Sequence, residues 1–218
     1  MPTVIDLSHV LEDGTITYPG LPGPVISDHL SREASRQRYA PGYEFHIGRI
    51  DMVANTGTYL DTPFHRYPDG HDLAGLDPAR VAGVRGIVVE AGEDQEIPSA
   101  RLDGLELAGH AVLFRTGWDR HWGTERYGHP DHPYLSVAAT ERLAEAGAAV
   151  VGIDAVNIDG TRTGERPVHS VLLGAGVPIV EHLTGLDHIG GRPFMFFAVP
   201  PAIRGMGTFP VRALAVLT

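Results

Sequence analysis

The sequence contains no cysteine, and this absence excludes several kinds of chemistry at once. Without thiols the chain forms no disulfide bond, has no thiolate nucleophile and builds no cysteine-ligated zinc site. Any metal ion must therefore be held by histidine, carboxylate or neutral oxygen ligands. Histidine, by contrast, occurs 12 times, a high number that directs attention to acid–base or metal chemistry.

Positive charge is also scarce, and long apolar segments are absent. Lys and Arg together number 17 against 27 Asp and Glu, which gives a net charge of −10. This balance argues against nucleic acid or an anionic membrane as the main partner, because both need a basic face. No apolar run approaches the roughly 18 residues that span a bilayer, and the first residues do not resemble a signal peptide. We therefore expect a soluble, cytoplasmic protein whose partner is a small molecule.

The pattern of apolar runs predicts one mixed α/β domain over residues 1–218. The length suits a single domain, and no linker divides it. Strand-like runs outnumber helices, and several follow one another without an intervening helix: 4–7, 45–53, 86–90, 111–116, 149–153, 177–180, 194–199 and 211–217. We therefore expect a partly antiparallel, barrel-like β core.

Two helices and one irregular segment complete the prediction. Ser136 suits the N-cap of a helix over residues 137–146, and Gly147 suits its C-terminal exit. A helix between two strands indicates a parallel crossover. Pro167 opens a second helix that ends near residue 173. Residues 28–42 are polar and are interpreted as an exposed arm or lid, or as a solvated loop.

The densest cluster of reactive side chains lies at residues 55–65, NTGTYLDTPFH. Thr62 followed by Pro63 is typical of an N-cap and a first helical position, so a short helix is expected here. Asp61 would then lie beside the positive end of the helix, and His65 in its first turn could act as a general base. The alternative is a polar turn in which the same residues serve only as caps.

Further polar groups follow predicted strand ends later in the chain. Asp154 ends one buried strand and Glu181 ends another, while His169 lies on the second helix. Together with Asp61, His169 and Glu181 form a possible nitrogen and oxygen ligand set for Zn²⁺ or Mn²⁺. A structural role for His169 is the alternative, because a lone histidine on a short helix often only satisfies local hydrogen bonds.

These segments resemble the cyclase family, which includes bacterial kynurenine formamidase, isatin hydrolase and related metal-dependent hydrolases. The family signature is His-x-Gly-Thr-His-x-Asp-x-Pro-x-His, and residues 55–65 follow its spacing. Further similarities extend over most of the chain, at residues 6–8, 18–20, 113–118, 152–154 and 205–212. The resemblance implies a swivelling β/β/α domain, assembled as a homodimer or homotetramer, that hydrolyses a small amide or lactone with a metal ion.

The resemblance also assigns roles and exposes two departures. It places Asp61, His169 and Glu181 at metal-ligand positions, and His65 at the position of the catalytic histidine. Asn55 and Tyr59, however, stand where the family has two histidine ligands. Amide oxygen is a weak ligand, and a tyrosine with its ordinary pKa of about 10 binds zinc poorly.

Three functions follow from this combination. The first is hydrolysis with a single divalent metal at Asp61, His169 and Glu181 and with His65 as general acid and base. The second is metal-free acid–base catalysis, as in a cyclase, lyase or dehydratase, in which Tyr59 and Asn55 donate hydrogen bonds to a carbonyl or developing oxyanion. The third is a non-catalytic ligand-binding protein that has lost its metal.

Overall fold

The computed structural model describes residues 2–218, and strands dominate it. The strands, in chain order, are β1 (Val4–Asp6), β2 (Val25–Leu30), β3 (Ile47–Asp51), β4 (Tyr59–Asp61), β5 (Ala82–Glu90), β6 (Glu96–Ile97), β7 (Ala111–Arg115), β8 (Tyr134–Leu135), β9 (Val150–Ile153), β10 (Ile179–Glu181), β11 (Phe194–Phe197), β12 (Thr208–Pro210) and β13 (Leu214–Leu217). The α-helices are α1 (Arg32–Ser35), α2 (Val137–Ala146) and α3 (Pro167–Gly174).

Nine of the strands described in residues 2–218 form one mixed sheet that curls into a half-barrel, in the order β1-β13-β11-β5-β7-β9-β10-β4-β12. Its centre, β5-β7-β9-β10, is parallel. The flanking strands pair antiparallel on both sides. The predicted mixed α/β fold with a partly antiparallel, barrel-like core is confirmed.

The central strands are apolar because they are covered on both faces. Phe114 and Val112 on β7 pack in one buried cluster with Leu143 of α2 and Leu172 of α3. On the other face, Leu113 belongs to a second buried cluster formed largely by the flanking strands. Parallel strands buried on both faces have continuous rather than alternating apolar sequences, which is why these runs were readable in the sequence.

The predicted helix limits agree closely with the structure. The Ser136 hydroxyl accepts a hydrogen bond from the backbone N–H of Ala139 at 3.1 Å, and Gly147 ends α2 in the left-handed region at φ 73°. Helix α2 connects β7 to β9, which are parallel, as the predicted crossover requires. Pro167 is the first residue of α3, whose end at Gly174 lies one residue beyond the prediction.

The segment between β1 and β4 differs from its prediction. Residues 28–30 belong to β2, which pairs antiparallel with β3 in a separate two-stranded ribbon that carries α1 at its turn. The segment is an exposed arm, as expected, but at residues 28–30 it is not a loop. The strand predicted over 45–53 is shorter, Ile47–Asp51, and its residues are all exposed.

The prediction for residues 59–65 is corrected in two respects. Residues Tyr59–Asp61 form strand β4, which neither the helix-start nor the polar-turn interpretation anticipated. The expected helix is a single 3₁₀ turn, Pro63–His65, and Thr62 makes no side-chain cap to it. The Thr62 hydroxyl donates instead to the carbonyl oxygen of Gly207 at 3.0 Å, because β12 lies directly beside β4.

Within residues 2–218, every helix is too short or too polar to cross a bilayer.

Candidate functional site

The candidate site lies where β4 is paired between β10 and β12. The register places Tyr59 opposite Glu181, and it places Thr208 opposite Asp61. Tyr59 and Asp61 are two residues apart on one strand, so their side chains project from the same face of the sheet. Strand pairing therefore gathers four polar side chains from three distant parts of the chain on one buried face.

Asp61 is fully buried and connects to His65 through Thr208. The Thr208 hydroxyl donates a short hydrogen bond to Asp61 Oδ1 and also lies 2.8 Å from His65 Nδ1. Its one hydrogen is directed to the carboxylate, so Nδ1 of His65 must donate to the Thr208 oxygen. The Nε2 atom of His65 is then the unprotonated nitrogen. Thr208 and Asp61 thus set the tautomer and orientation of His65, whose side chain is 36% exposed.

His169, on the first turns of α3, is held from behind by Asp159. Asp159 accepts hydrogen bonds from the backbone N–H groups of Val168 at 2.7 Å and His169 at 3.0 Å. It also accepts from Nδ1 of the imidazole at 2.6 Å. The Nε2 atom therefore faces the site, 3.7 Å from both Asp61 Oδ2 and Glu181 Oε1. A carboxylate behind an inward-facing imidazole is the usual outer shell of a histidine metal ligand.

Glu181 is fixed at both carboxylate oxygens. Its Oε1 atom accepts from the backbone N–H of Ile158 at 2.7 Å, and its Oε2 atom accepts from the Tyr59 hydroxyl at 2.6 Å. Burial, followed by the charges of Glu181 and Asp61, raises the pKa of Tyr59 well above its ordinary value. Tyr59 therefore remains a neutral phenol whose hydrogen is committed to Glu181.

Burial and mutual charge control the ionisation of the remaining groups. Burial raises the pKa of Asp61, but the neighbouring histidines and Thr208 outweigh it and leave that pKa lower than usual. Burial raises the pKa of Glu181, only partly opposed by His169. Burial lowers the pKa of His169, yet Glu181, Asp159 and Asp61 together raise it to about 10. The carboxylates thus attract a positive charge at this point, and a divalent cation would displace the proton from His169.

The donor set fits a metal ion. Asp61 Oδ2 is buried without a hydrogen-bond partner among residues 2–218, although it points toward His169 Nε2. Ligand atoms of Asp61, His65 and His169 lie within 4.8 Å of one another, and Glu181 Oε1 adjoins the same imidazole. In a tetrahedral zinc site with bonds near 2.1 Å, neighbouring ligand atoms are about 3.4 Å apart. Separations of 3.7 Å therefore need only a small contraction.

His65, His169 and Glu181 line a cavity of about 430 Å³. Asn55 and Tyr59 lie in its wall. The aromatic ring of Tyr18 also lines this cavity. Trp118 is buried in the core. Residues lining the cavity are Tyr18, Pro19, Gly20, Leu21, Asn55, Tyr59, His65, Arg66, Asn157, Arg166, His169 and Glu181.

The structure thus brings together Asp61, His65, His169 and Glu181, which sequence analysis had selected from distant segments. It adds Asp159 and Thr208, to which sequence analysis gave no role. Both lie in segments that resemble or adjoin the family motifs, but only the tertiary contacts indicate what they hold.

Comparison with known proteins identifies related sequences and folds. The Cyclase family model matches residues 5–160. A kynurenine formamidase from Bacillus cereus is 30% identical over 217 residues, which cover 96% of this chain and 95% of that protein. An isatin hydrolase bound to the product analogue thioisatinate has the same fold, with a TM-score of 0.84, 22% identity and coverage of 99% of this chain and 92% of that chain.

A second solved structure, described as a potential metal-dependent hydrolase with cyclase activity, gives a TM-score of 0.81 at 23% identity and covers 100% of this chain and 99% of that chain. Likeness to these structures concerns the fold, whereas the sequence matches concern ancestry. Because the family match spans most of the chain and the Bacillus relative aligns along nearly all of it, this chain belongs to the cyclase family of enzymes.

Proposed function

We propose that this protein hydrolyses a small amide or lactone with one divalent metal ion, Zn²⁺ or Mn²⁺, held by Asp61, His169 and Glu181. The observation that carries the proposal is the buried Oδ2 of Asp61, which has no hydrogen-bond partner among residues 2–218 and faces the same imidazole nitrogen as Glu181 Oε1. Two carboxylates and a neutral imidazole suit either metal, and the chain offers no thiolate. The kynurenine formamidase relative supports amide hydrolysis as the reaction class.

The ion would supply Lewis acidity and lower the pKa of water at the site. The remaining work falls to the protein. By accepting from Nδ1, Asp159 directs Nε2 of His169 inward as the atom that would bind the metal, while Tyr59 and the N–H of Ile158 hold the Glu181 carboxylate. These contacts fix the ligands before a metal binds, which reduces the conformational freedom lost on binding.

His65 is the general acid and base in this proposal. Its Nδ1 is engaged by Thr208, so Nε2 is available to take a proton during attack on the carbonyl and to return it to the leaving group. The ring is partly exposed at the cavity wall, in reach of a substrate. Asn55 also lines the cavity, and its amide N–H groups would orient the substrate carbonyl.

A second candidate is metal-free acid–base catalysis, such as cyclisation, dehydration or elimination. The observation that favours it is the pair Asn55 and Tyr59, which occupies the place of two histidine ligands in the family signature and lines the cavity. Here His65 would be the base. Burial lowers the pKa of His169, but its carboxylate neighbours raise it to about 10, so His169 would be a fixed cation. A non-catalytic role has less support, because the relatives are enzymes.

Metal analysis combined with two variants distinguishes these candidates. We expect the purified protein to contain up to one equivalent of Zn²⁺ or Mn²⁺ and to lose hydrolysis of aryl formamides or lactones after chelation. Asp61→Asn should lose the metal. His65→Gln should retain it and reduce turnover by roughly 10²- to 10⁴-fold. The matched control is His188→Gln, an exposed histidine. A metal-free protein that keeps its activity in chelator would refute the metal mechanism.

We further propose that the protein is a homodimer or homotetramer in the cytoplasm and that its partner is a small molecule. Support for assembly comes from the arm, where Val25, Ile26, Phe45, Ile47 and Ile50 are exposed. An exposed apolar surface of this kind is typical of a protein–protein interface.

A further inference from the structure

Two arginines line the cavity beside the candidate catalytic groups. Arg66 directly follows His65 after the 3₁₀ turn, and Arg166 precedes α3, three residues before His169. Both positions are tied along the chain to site residues, so both guanidinium groups belong to the same cavity as the imidazoles. The chain as a whole is acidic, with a net charge of −10, which makes a pair of cations at this cavity a local exception.

Neither guanidinium is neutralised by the protein. Within residues 2–218, neither Arg66 nor Arg166 has a carboxylate within 4.0 Å. By comparison, nearby Arg162 pairs with Asp131. Nε of Arg66 donates to the Ser170 hydroxyl at 3.3 Å, which anchors the side chain and leaves its Nη atoms without acceptors in the described chain.

Arg166 is held by backbone. Its Nη1 atom donates to the carbonyl oxygens of Glu165 at 2.6 Å and Thr163 at 2.9 Å, and its Nη2 atom has no acceptor in the described part of the protein. Both side chains are therefore anchored through one nitrogen and offer other N–H donors to a ligand. A guanidinium presents such donors in a planar fork that matches a carboxylate.

Charge along the cavity is polarised. Glu181 lines its inner part beside the buried Asp61, whereas Arg66 and Arg166 contribute cationic groups to the wall. The guanidinium groups, which have no carboxylate within 4.0 Å among residues 2–218, would attract an anionic group of a ligand, whereas the inner carboxylates face the metal ion of the proposed function. A neutral carbonyl, by contrast, can approach the inner groups. A ligand that carries both an anionic group and a neutral carbonyl would therefore bind in one orientation.

We propose that the substrate carries a carboxylate next to its amide or lactone group and that Arg66 and Arg166 bind this carboxylate. The identity of the reacting bond rests on the function proposed above, but the anion site does not. A volume of about 430 Å³ suits a single-ring compound, and Tyr18 and Leu21 provide apolar wall for the ring. Arg66 and Arg166 are therefore specificity-determining residues.

Binding of two probes that differ by one carboxylate tests the proposal. Affinities for 2-formamidobenzoate and formanilide are measured by calorimetry or ligand-observed NMR, on the protein as purified and after chelation. We expect 2-formamidobenzoate to bind at least about 10-fold more tightly, and Arg66→Gln or Arg166→Gln to weaken it by about 5- to 20-fold without affecting formanilide. Arg85, an exposed arginine on β5, has no ion pair within residues 2–218, so Arg85→Gln is the matched control and should change neither affinity.

Several results would overturn the inference. They are equal affinity for the two probes, no saturable binding of the carboxylate probe, or wild-type affinity in both arginine variants. If binding of the carboxylate probe disappears on chelation but is unchanged in both arginine variants, the probe ligates the metal. This result would also refute the inference. Arg66→Lys and Arg166→Lys, which keep the charge, should recover part of the affinity and guard against misfolding of the glutamine variants.

The same samples separate this inference from the proposed reaction. If the arginine-dependent preference is present but hydrolysis does not need metal, the anion site stands and the metal mechanism fails. If metal-dependent hydrolysis is present but the two probes bind alike, the reaction stands and the anion site fails.

Discussion

Replacement of Asp159 by asparagine tests the proposed metal centre through a residue that touches neither metal nor substrate. Asp159 is fully buried and accepts three hydrogen bonds, two from backbone N–H groups at the start of α3 and one from His169 Nδ1. An asparagine oxygen can keep part of the backbone contacts, but its NH₂ group cannot accept. The variant therefore loses the charge and at least one bond, and it no longer enforces the inward-facing lone pair on His169.

The contacts of Asp159 allow two effects of this change to be estimated, one on stability and one on metal affinity. Hydrogen bonds to charged groups contribute about 1.5–3 kcal/mol, so the free energy of unfolding should fall by about 2–3 kcal/mol. Loss of the outer partner of a histidine ligand typically weakens metal affinity by about 10- to 100-fold. Chemical denaturation measures the first quantity, and competition with a chromogenic chelator measures the second.

Asp154→Asn provides a matched control. Asp154 is also buried and accepts three bonds, from the N–H and hydroxyl of Thr116 and from the N–H of Gly117. It lines a different cavity, beside Arg115 and Asp119, so its replacement should lower stability and leave metal affinity unchanged. If Asp159→Asn binds metal like the wild type, or if Asp154→Asn weakens it equally, Asp159 does not orient a metal ligand.

Two further predictions concern stability and the placement of His65. Burial lowers the pKa of His9 to about 4, with Asp119 opposing, so the folded state keeps His9 neutral while the unfolded chain takes up a proton below about 6.5. Stability should therefore fall as the pH drops from 7 toward 4, and His9 should account for about 2 kcal/mol of the loss at pH 5. Chemical denaturation at pH 7 and pH 5 should show that His9→Phe loses less stability than the wild type over this change. In Gly207→Ala the new Cβ would lie 2.3 Å from the His65 backbone nitrogen, so β12 or His65 must shift. Turnover and stability of Gly207→Ala should both fall. Gly164 has open space around it, so the control Gly164→Ala should change neither. Normal activity in Gly207→Ala would contradict the described packing.

Much of the fold was readable from local sequence. Strands β7 and β9 are continuous apolar runs because both faces are covered, and α2 has a capping serine and a terminal glycine. By contrast, the local sequence does not predict strand β4. Its three residues carry two reactive side chains and show no apolar run, and it is a strand because β10 and β12 pair with it. The arm was seen as exposed, but the pairing of β2 with β3 joins residues far apart in sequence.

For the site, the sequence alone determined the candidate chemistry. It excluded thiolates, supplied Asp61, His65, His169 and Glu181 in segments that resemble the cyclase family, and revealed Asn55 and Tyr59 as departures from its signature. Residue types and short spacings carry this information, because local motifs need no knowledge of distant contacts.

Only the tertiary structure decided how those groups work together. Tyr59 meets Glu181 across 122 residues, and Thr208 meets Asp61 across 147, through strand register that a one-residue slip would abolish. The same folding left Asp61 Oδ2 without a hydrogen-bond partner in the described part of the chain and placed Arg66 and Arg166 in the cavity of His65 and His169. Protonation states, ligand separation and charge polarity depend on distances between segments far apart in sequence, and the three-dimensional packing of the chain sets those distances.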